Sequence, residues 1–481
     1  METHLKGFGL ENFRVFKDYT WFDFAPITIL TGPNNSGKSS LNRGLKLMCD
    51  PLKINSLDLQ LGGLNRVINK NSKKTDLDFT ISLPYWLNNY PTMGIRTAVR
   101  LEVLRKVFDT DLQAVGDKIY RIFLNDKLLL ESEMFGLSFY FDFETFYSGI
   151  KPLEKKDYDK FVTLIHQFEE VEDVLNFYSK NIDIKKGEPA QDQINDIFPE
   201  HNDPSIPQKD SIVDLYTVLK SFGLTQHQCE HLDKRILGDI YKTVEEVLAK
   251  IKYLPFRGKV ARNYGLGEKN EWIGLIRKYQ KFITDTNHIG RETLEELGLI
   301  YMSFIEKWIQ KFNISEEIRP IIDTQFGFHS LEVNGLPLVE QGTGISQIVY
   351  ILLSIALNPE NSKIFLIEEP EANLHPKFQS LLADMFIDAA KTFNIQFIIE
   401  THSEYFIRKM QYLTAKKEVS PTDTNIYYFH DPENIPAGEP QVKKIEILED
   451  GSLSSDFGSG FFDEATNWKF ELMRLKNAQK N

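Results

Sequence analysis

The alternation of apolar and polar positions predicts strands at the start of the chain. Residues 5–30 alternate in LKGFGLENFRVFKDYTWFDF and then continue into the apolar run PITIL. A period of two is typical of strands with one buried face, so this segment predicts two or three strands, the last leading into a glycine-rich loop. Residues 39–48, SSLNRGLKLM, are predicted to form the helix after that loop.

A second strand-rich region is predicted at residues 76–145. The stretch KIYRIFLNDKLLLESE predicts a hairpin with Asn125-Asp126 at its turn. Residues 154–252 have a helical pattern, interrupted near 185–210 by a polar stretch that we interpret as a loop. In the first segment of this region, TDLDFTISL, alternate apolar residues share one face: Leu77, Phe79, Ile81 and Leu83.

The C-terminal half mixes amphipathic helices with short buried strands. Residues 267–313 are charged and amphipathic, which predicts two helices. The stretch GFHSLEVNGLPLVE predicts a hairpin with Asn334-Gly335 at its tip. Four consecutive apolar residues, Ile364 to Ile367, predict a strand buried on both faces.

Composition limits the class of protein. The chain has 481 residues, 42% of them hydrophobic, which is enough for two or three packed units. A net charge of -13 argues against a uniformly basic nucleic-acid-binding surface, although it allows a local basic groove. The sequence contains neither an apolar run long enough to span a membrane nor an N-terminal signal core, so we expect a cytoplasmic protein with no membrane partner.

The stretch TGPNNSGKSS follows the apolar run PITIL and has the form of a phosphate-binding loop. In such a loop, backbone N–H groups and the lysine hold the nucleotide phosphates, and the serine after the lysine binds Mg²⁺. The alternative is a Gly/Asn-rich loop that matches the pattern by chance. Only the other motifs in the sequence can decide between the two interpretations. The predicted nucleotide-binding residues are Gly32, Pro33, Asn34, Asn35, Ser36, Gly37, Lys38, Ser39 and Ser40.

Two acids, Glu368 and Glu369, end the predicted strand in FLIEEPEANLHP. We expect this strand to lie beside the strand that precedes the loop. Glu368 would then hold the magnesium shell together with Ser39, and Glu369 would polarise the attacking water. The alternative is an apolar strand that ends in a solvated acidic turn.

Two further motifs accompany the loop and the acid pair in a fixed order. EQGTGISQIVYILLSIAL precedes the acids and opens an apolar helix, whose positive N-terminus suits a γ-phosphate. Its predicted nucleotide-binding residues are Gly342, Gly344, Ser346 and Gln347. FNIQFIIETHSEYFIRKM follows the acids and places His402 after a strand, where it is predicted to reach the γ-phosphate and the attacking water. Taken alone, His402 also fits a capping or core histidine.

The order of these four motifs resembles that of ABC-class ATPases, and in particular the SMC-like branch related to the ATPase domain of overcoming-lysogenization-defect (OLD) proteins. The matching stretches are NFRVF, PITILTGPNNSGKSSL, QGTGISQ, FLIEEPEANLHP and IETHSEYFIRKM. The stretch YLPFRGKVARNYG and the C-terminal GSGFFDEA resemble a subgroup of uncharacterised ATPases of this type. The resemblance covers the N-terminal 50 residues and roughly residues 325–410.

The resemblance implies an α/β P-loop NTPase fold of the ABC/SMC-like head type, with a mixed sheet, a β-rich subdomain and an inserted, largely helical domain. It implies ATP and Mg²⁺ as cofactors, Arg14 as a nucleotide contact and Gln60 as the glutamine-loop residue near the metal. Gln60 is explained at least as well as an ordinary surface glutamine. The predicted segments are an N-terminal ATPase lobe at 1–84, an inserted β/helical domain at 85–250, a helical return segment at 251–325 and a C-terminal ATPase lobe at 326–481.

The resemblance also implies partners. The ATPase would form an ATP-dependent dimer or a higher oligomer, with the loop of one protomer completed by the Gly342–Gln347 turn of another. Similar stand-alone ATPase subunits occur in anti-phage systems such as Septu and PARIS, which implies a separate nuclease or toxin effector and a nucleic acid or phage trigger. No intrinsic nuclease is expected, because only residues 403–481 follow His402. The alternatives are a DNA-repair or chromosome-maintenance ATPase and a nucleotide-stabilised scaffold.

Overall fold

The structure is a computed structural model, which describes most of the N-terminal and C-terminal parts of the protein. Between residues 85 and 214 only the backbone of the strands is described. The described residues are 1–49, 61, 63–75, 77–90, 95–107, 115–124, 127–133, 139–142, 212–214, 242–255, 271–288, 296–314, 317–323, 328–357, 362–458 and 464–478.

The strands and helices follow one another along the chain as follows. The strands are β1 (Gly7–Glu11), β2 (Thr20–Asp23), β3 (Ile27–Thr31), β4 (Leu77–Tyr90), β5 (Ile95–Val107), β6 (Val115–Leu124), β7 (Lys127–Glu133), β8 (Phe139–Asp142), β9 (Ile212–Asp214), β10 (Ile251–Leu254), β11 (Ile318–Asp323), β12 (Phe328–Val333), β13 (Leu336–Pro337), β14 (Ile364–Glu368), β15 (Gln396–Glu400), β16 (Thr424–Phe429) and β17 (Val442–Glu446). The helices are α1 (Lys38–Cys49), α2 (Leu64–Val67), α3 (242–249), α4 (Glu271–His288), α5 (Glu296–Lys311), α6 (Thr343–Ala356), α7 (Pro376–Phe393), α8 (Glu404–Ala415) and α9 (Glu464–Ala478).

The chain forms two compact units. The first comprises Met1–His4, Asp23–Lys46 and Ala249–Asn481, and the second comprises Leu5–Phe22 and Leu47–Leu248. Each unit has its own large sheet.

A six-stranded sheet in the order β10-β14-β15-β3-β16-β17 forms the centre of the first unit. The first five strands are parallel, and β17 is antiparallel to β16. β3, β14 and β15 are buried at every position, which is typical of parallel strands covered on both faces. The predicted P-loop α/β fold with a mixed sheet is confirmed. Because the carboxyl ends of parallel strands meet at one edge, the segments after β3, β14 and β15 converge there.

The strand order corrects one expectation from the sequence. β15 lies between β14 and β3, so the strand that carries the two acids is not beside the strand that precedes the loop. The register instead pairs Glu368 with Glu400, and Glu400 with Leu30. The sequence could not show this, because it does not reveal which later strand inserts between two earlier ones.

Helices cover this sheet with a core rich in aromatic rings. Phe386 of α7 packs against Phe397 of β15, with ring centroids 4.9 Å apart, and against Phe406 of α8 at 6.0 Å. The two helices predicted between 267 and 313 are present as α4 and α5, and Trp308 of α5 is buried in the same core. The hairpin predicted at Asn334-Gly335 joins β12 to β13, with φ angles of 54° and 77° at these residues.

An eight-stranded sheet in the order β2-β1-β4-β5-β6-β7-β8-β9 forms the centre of the second unit. The neighbouring pairs from β1 to β9 are antiparallel. β6 pairs with β7 up to Leu124 and Lys127, which confirms the predicted hairpin, although Asn125-Asp126 lies outside the described residues. The four residues predicted to share one buried face of β4 do so: Leu77, Phe79, Ile81 and Leu83.

The bounds of the two compact units are not those of the predicted domains, which stay predictions. The predicted lobe 1–84 is split, because β1 pairs with β4 and therefore joins the sheet of the second unit, whereas the glycine-rich loop belongs to the first. In the region predicted to be helical, 154–252, the structure describes a helix over 242–249. The prediction was wrong at β9 (Ile212–Asp214) and at the start of β10 (Ile251–Leu254), which are strands. The loop predicted at 185–210 lies outside the described residues. Within the described part of the chain, no helix is long and apolar enough to cross a membrane.

Candidate functional site

The glycine-rich loop connects β3 to α1 at the carboxyl edge of the parallel sheet. Gly32 and Gly37 have φ angles of 139° and 110°, which residues with a Cβ rarely adopt. A Cβ on Gly32 would also lie only 2.3 Å from the carbonyl oxygen of Phe429. Since α1 begins at Lys38, the predicted order of strand, loop and helix is confirmed.

The side chains of the loop differ in exposure. Asn34 and Asn35 are exposed, Pro33 is half-buried, and Ser36 and Ser40 are buried. The hydroxyl oxygen of Ser36 is buried and has no hydrogen-bond partner. A buried polar atom of this kind is normally satisfied, so the loop retains unused hydrogen-bonding capacity.

Lys38 lies inside the loop with its ammonium group directed at backbone oxygens. Its Nζ donates hydrogen bonds to the carbonyl oxygens of Gly32, at 3.0 Å, and Pro33, at 2.7 Å. Burial lowers the pKa of Lys38, and three nearby carboxylates oppose this shift: Glu400, Glu369 and Glu371. The lysine is therefore the cation of a site otherwise rich in acids.

Glu369, the predicted catalytic acid, lies in a tight turn directly after β14. Its φ angle is 44°, in the left-handed region that non-glycine residues seldom occupy, and such strain is common at functional sites. Its backbone N–H donates to the carbonyl oxygen of Glu400 at 2.8 Å. Burial raises the pKa of Glu369, although the nearby Lys38 opposes this increase.

Glu368, the predicted magnesium acid, is engaged by a tyrosine that the sequence did not assign to the site. The Tyr253 hydroxyl, on β10, donates to Oε1 of Glu368 at 2.6 Å. Burial and the Glu368 charge raise the pKa of Tyr253, and Arg43 of α1 opposes this increase. Tyr253 begins the stretch YLPFRG, which resembles a subgroup motif, and this resemblance was the one signal that could have identified it.

Ser39 is paired with Glu400 in this structure. Its hydroxyl donates to Oε1 of Glu400 at 2.8 Å. Burial raises the pKa of Glu400 to about 7. Glu400 follows the apolar residues FII in the sequence, so an acid at the end of a buried strand was the available signal. The sequence alone does not identify its role, because it does not show that β15 lies beside β3.

His402 is half-buried just after β15, on a segment held by a second unassigned acid. Its backbone N–H donates to Oε1 of Glu371 at 2.6 Å. Burial and the neighbouring Lys38 lower the pKa of His402 to about 4, so the imidazole is neutral near pH 7. One ligand atom from each of Glu369, Glu400 and His402 lies within 4.8 Å of the others. The structure thus brings the predicted acid and histidine together.

The Gly342–Gln347 turn packs against the segment that follows β14. A Cβ on Gly344 would lie 2.7 Å from the carbonyl oxygen of Asn373. The hydroxyl of Ser346 donates to the carbonyl of Leu338 at 3.0 Å, and Nε2 of Gln347 donates to the carbonyl of Glu369 at 2.8 Å. The exposed residues at the start of α6 are Gly342 and Thr343.

The structure does not test two of the predicted contacts. Arg14 belongs to the second unit, where its φ angle is 53° and its carbonyl accepts a hydrogen bond from Asn69 at 2.6 Å. Its predicted contact with the nucleotide therefore stays a prediction. Gln60 lies outside the described residues.

The residues at the carboxyl edge fit a phosphate group and Mg²⁺. Mg²⁺ prefers oxygen ligands, and Ser39 and the acids at the ends of β14 and β15 provide them. The buried, unpartnered Oε2 of Glu400 and Oγ of Ser36 are polar atoms that such ligands would satisfy. Lys38 and the N-terminus of α1 provide positive potential beside them.

Comparison with known families gives two matches. Residues 4–407 match the AAA ATPase domain family, and residues 419–472 match a family described as a protein of unknown function (DUF3696). No curated protein matches the sequence.

Solved structures with a similar fold include three heads of SMC proteins. An Smc head bound to the C-winged helix domain of ScpA is 12% identical, with a TM-score of 0.43, and the alignment covers 92% of this chain and 98% of that one. An Smc head with an extended coiled coil, bound to the C-terminal domain of ScpA from Pyrococcus furiosus, is 13% identical, with a TM-score of 0.42 and coverages of 92% and 96%. The SMC head domain from Thermotoga maritima is 11% identical, with a TM-score of 0.37 and coverages of 93% and 100%. The likeness is distant.

We predict that Gly344→Ala destabilises the protein, whereas Gly342→Ala in the same turn has a smaller effect. The added methyl group at 344 would collide with Asn373 and Leu374, and overpacking of this kind costs about 1–3 kcal/mol. At 342, where φ is −58°, no atom lies within 4 Å of the added carbon. Urea unfolding of the two variants measures the difference, and equal stabilities would contradict the proposed packing of Gly344.

We predict that Glu371→Gln stabilises the protein more at high pH than at low pH. Burial raises the pKa of Glu371 from 4.5 to about 7, so between these values the folded protein binds more protons than the unfolded chain and loses stability as the pH rises. Glutamine does not ionise, so the melting-temperature gain of the variant over wild type should be larger near pH 8 than near pH 5, without nucleotide or metal. The exposed Glu449→Gln is the control, and a pH-independent gain would argue against a buried carboxylate.

Proposed function

We propose that this chain, which belongs to the AAA ATPase domain family, binds ATP with Mg²⁺ at the loop after β3 and hydrolyses the ATP through Glu369 and His402. The observation that carries the proposal is the convergence of these residues at one edge of the parallel sheet. Lys38 lies close enough to Glu369 and to His402 to shift the pKa of each. P-loop ATPases use a lysine at the phosphates and a side chain that positions the attacking water, and Lys38, Glu369 and His402 are suited to these roles.

Binding would use the loop and Lys38. The ammonium of Lys38, which now contacts the carbonyls of Gly32 and Pro33, would turn to the phosphates, and the backbone N–H groups of the loop would hold the remaining oxygens. Ser39 and Glu368 would hold Mg²⁺, which neutralises charge on the transferred phosphoryl group.

Hydrolysis would depend on Glu369 and His402. Burial raises the pKa of Glu369, which makes its carboxylate a stronger base than an exposed glutamate for accepting a proton from the attacking water. His402, neutral near pH 7, would hydrogen-bond the γ-phosphate or the water without adding charge. The turn that carries Glu369 is fixed from two sides, by the carbonyl of Glu400 and by Gln347.

A second protomer would complete the site. Gly342 and Thr343 are exposed at the start of α6, and the N-cap residue has no side-chain cap, which leaves the positive end of this helix accessible to a phosphate of another molecule. We therefore propose an ATP-dependent dimer, in which Gly342 and Thr343 of each protomer face the nucleotide of the other.

ATP hydrolysis is proposed to cause a conformational change that regulates a separate effector protein. We propose a cytoplasmic, anti-phage sensor ATPase that acts with a nuclease or toxin, on the basis of the motif resemblance given above. The alternative is an ATPase of DNA repair or chromosome maintenance. A nuclease or toxin gene beside the gene for this chain would support defence, and recombination genes in that position would favour repair.

We predict that Lys38→Ala lowers ATP turnover by about 100-fold or more, because it removes the positive charge aimed at the phosphates. Lys46→Ala removes a lysine from the same helix, α1, and is expected to retain wild-type turnover. Phosphate release and the affinity for a fluorescent ATP analogue measure the effect. Equal activity of the two variants would contradict the nucleotide site.

We predict that Glu369→Gln retains ATP and Mg²⁺ but slows hydrolysis by about 10²–10⁴-fold, because glutamine keeps the shape of the side chain and loses the base. The ATP-bound dimer should then accumulate and be visible by light scattering after size-exclusion chromatography. If Glu368→Gln rather than Glu369→Gln traps ATP, the roles of the two acids are reversed. The trapped dimer is also the form best suited to capture an effector.

A further inference from the structure

The proposed mechanism uses Ser39 and Glu368 for Mg²⁺ and gives Glu400 no specific role, although Glu400 accepts the hydrogen bond of Ser39. It ends β15, two residues before His402, and its side chain is 3% exposed. Its Oε1 accepts the hydrogen bond from Ser39 at 2.8 Å. Its Oε2 is buried and has no hydrogen-bond partner.

An orphaned carboxylate oxygen in this position is unfavourable unless something binds it. Leaving a buried acceptor unsatisfied costs free energy, and buried polar atoms in native proteins are therefore normally paired. The charged neighbours of Glu400 are two further acids, Glu368 and Glu369, and Lys38, whose Nζ donates to the carbonyls of Gly32 and Pro33. A cation is the kind of ligand that a group of carboxylates favours.

The neighbouring acid, Glu368, has a different hydrogen-bond donor. The register of the parallel strands places Glu368 and Glu400 side by side. One oxygen of Glu368 is bound by the hydroxyl of Tyr253 at 2.6 Å, whereas an oxygen of Glu400 is bound by Ser39. Of the two acids, Glu400 is thus the one joined to the proposed magnesium-binding serine.

We propose that Glu400 is a third acid of the magnesium site, which fixes the Ser39 hydroxyl and offers Oε2 to the cation or to its bound water. The proposal rests on the proposed ATP-binding function. A serine hydroxyl that donates to Glu400 keeps its oxygen lone pairs for the metal, so the carboxylate orients this ligand as well as adding negative charge.

Mn²⁺ binding followed by electron paramagnetic resonance, with a non-hydrolysable ATP analogue present, tests this role without requiring turnover. Glu400→Gln is expected to weaken Mn²⁺ binding by about 10-fold or more, the usual effect of removing a residue that supports a metal ligand. Affinity for a fluorescent ATP analogue in EDTA should stay within about twofold of wild type, because this variant leaves Lys38 and the loop in place. The exposed Glu449→Gln is the control and should change neither value.

Two outcomes would overturn the assignment of Glu400. A folded Glu400→Gln variant that binds Mn²⁺ as wild type does would show that Glu400 is not part of the metal site. An equal loss of nucleotide affinity in EDTA would show that Glu400 only supports the shape of the loop. If wild-type protein binds no nucleotide, the proposed function itself fails, and the role of Glu400 with it.

A shorter acid keeps the test decisive if Glu400→Gln does not fold. Glu400→Asp retains the charge but withdraws the carboxylate from Ser39 by one methylene group. It is expected to weaken Mn²⁺ binding by about threefold or more, while nucleotide affinity in EDTA is unchanged. Wild-type Mn²⁺ affinity in this variant would equally overturn the proposal.

Discussion

Burial of several carboxylates around one lysine is the constraint on which the site depends. Lys38 is 3% exposed and lies near Glu369, Glu371 and Glu400, whose pKa values are all raised, mainly by burial. Burial disfavours the charged form of the lysine, and the nearby acids stabilise that charge. The lysine in turn stabilises the charged form of the buried acids. A phosphate and a divalent cation that bind together would bring charges of both signs. Lys38 could then pair with the phosphate and the acids with the cation, so no buried charge would be left unpaired.

Backbone contacts link this charge cluster to helix α6. The turn at Glu369 receives a hydrogen bond from Gln347 of α6 and gives one to the carbonyl of Glu400 on β15. The same helix presents Gly342 and Thr343 at its exposed end. A shift of α6 would therefore move the backbone of the proposed base, which provides a short physical route between a contact at the end of α6 and the acid.

Local patterns predicted the elements of the site, but not how the strands are combined. The loop after β3, the buried strand before Glu368, and the paired helices α4 and α5 were each evident from periodicity and spacing. The pairing of Ser39 with Glu400 could not be predicted, because it depends on β15 inserting between β14 and β3. The pairing of β1 with β4 could not be predicted for the same reason, because it joins segments far apart in sequence.

The left-handed backbone at Glu369 is unusual for a glutamate. Nine non-glycine residues among those described have a positive φ, and six of them are asparagine, the residue whose short amide side chain best tolerates this conformation. The chain therefore commonly uses asparagine where the path of the backbone is the main demand. Glu369 departs from that preference, so this turn combines a strained backbone with a carboxylate at the carboxyl edge of the parallel sheet.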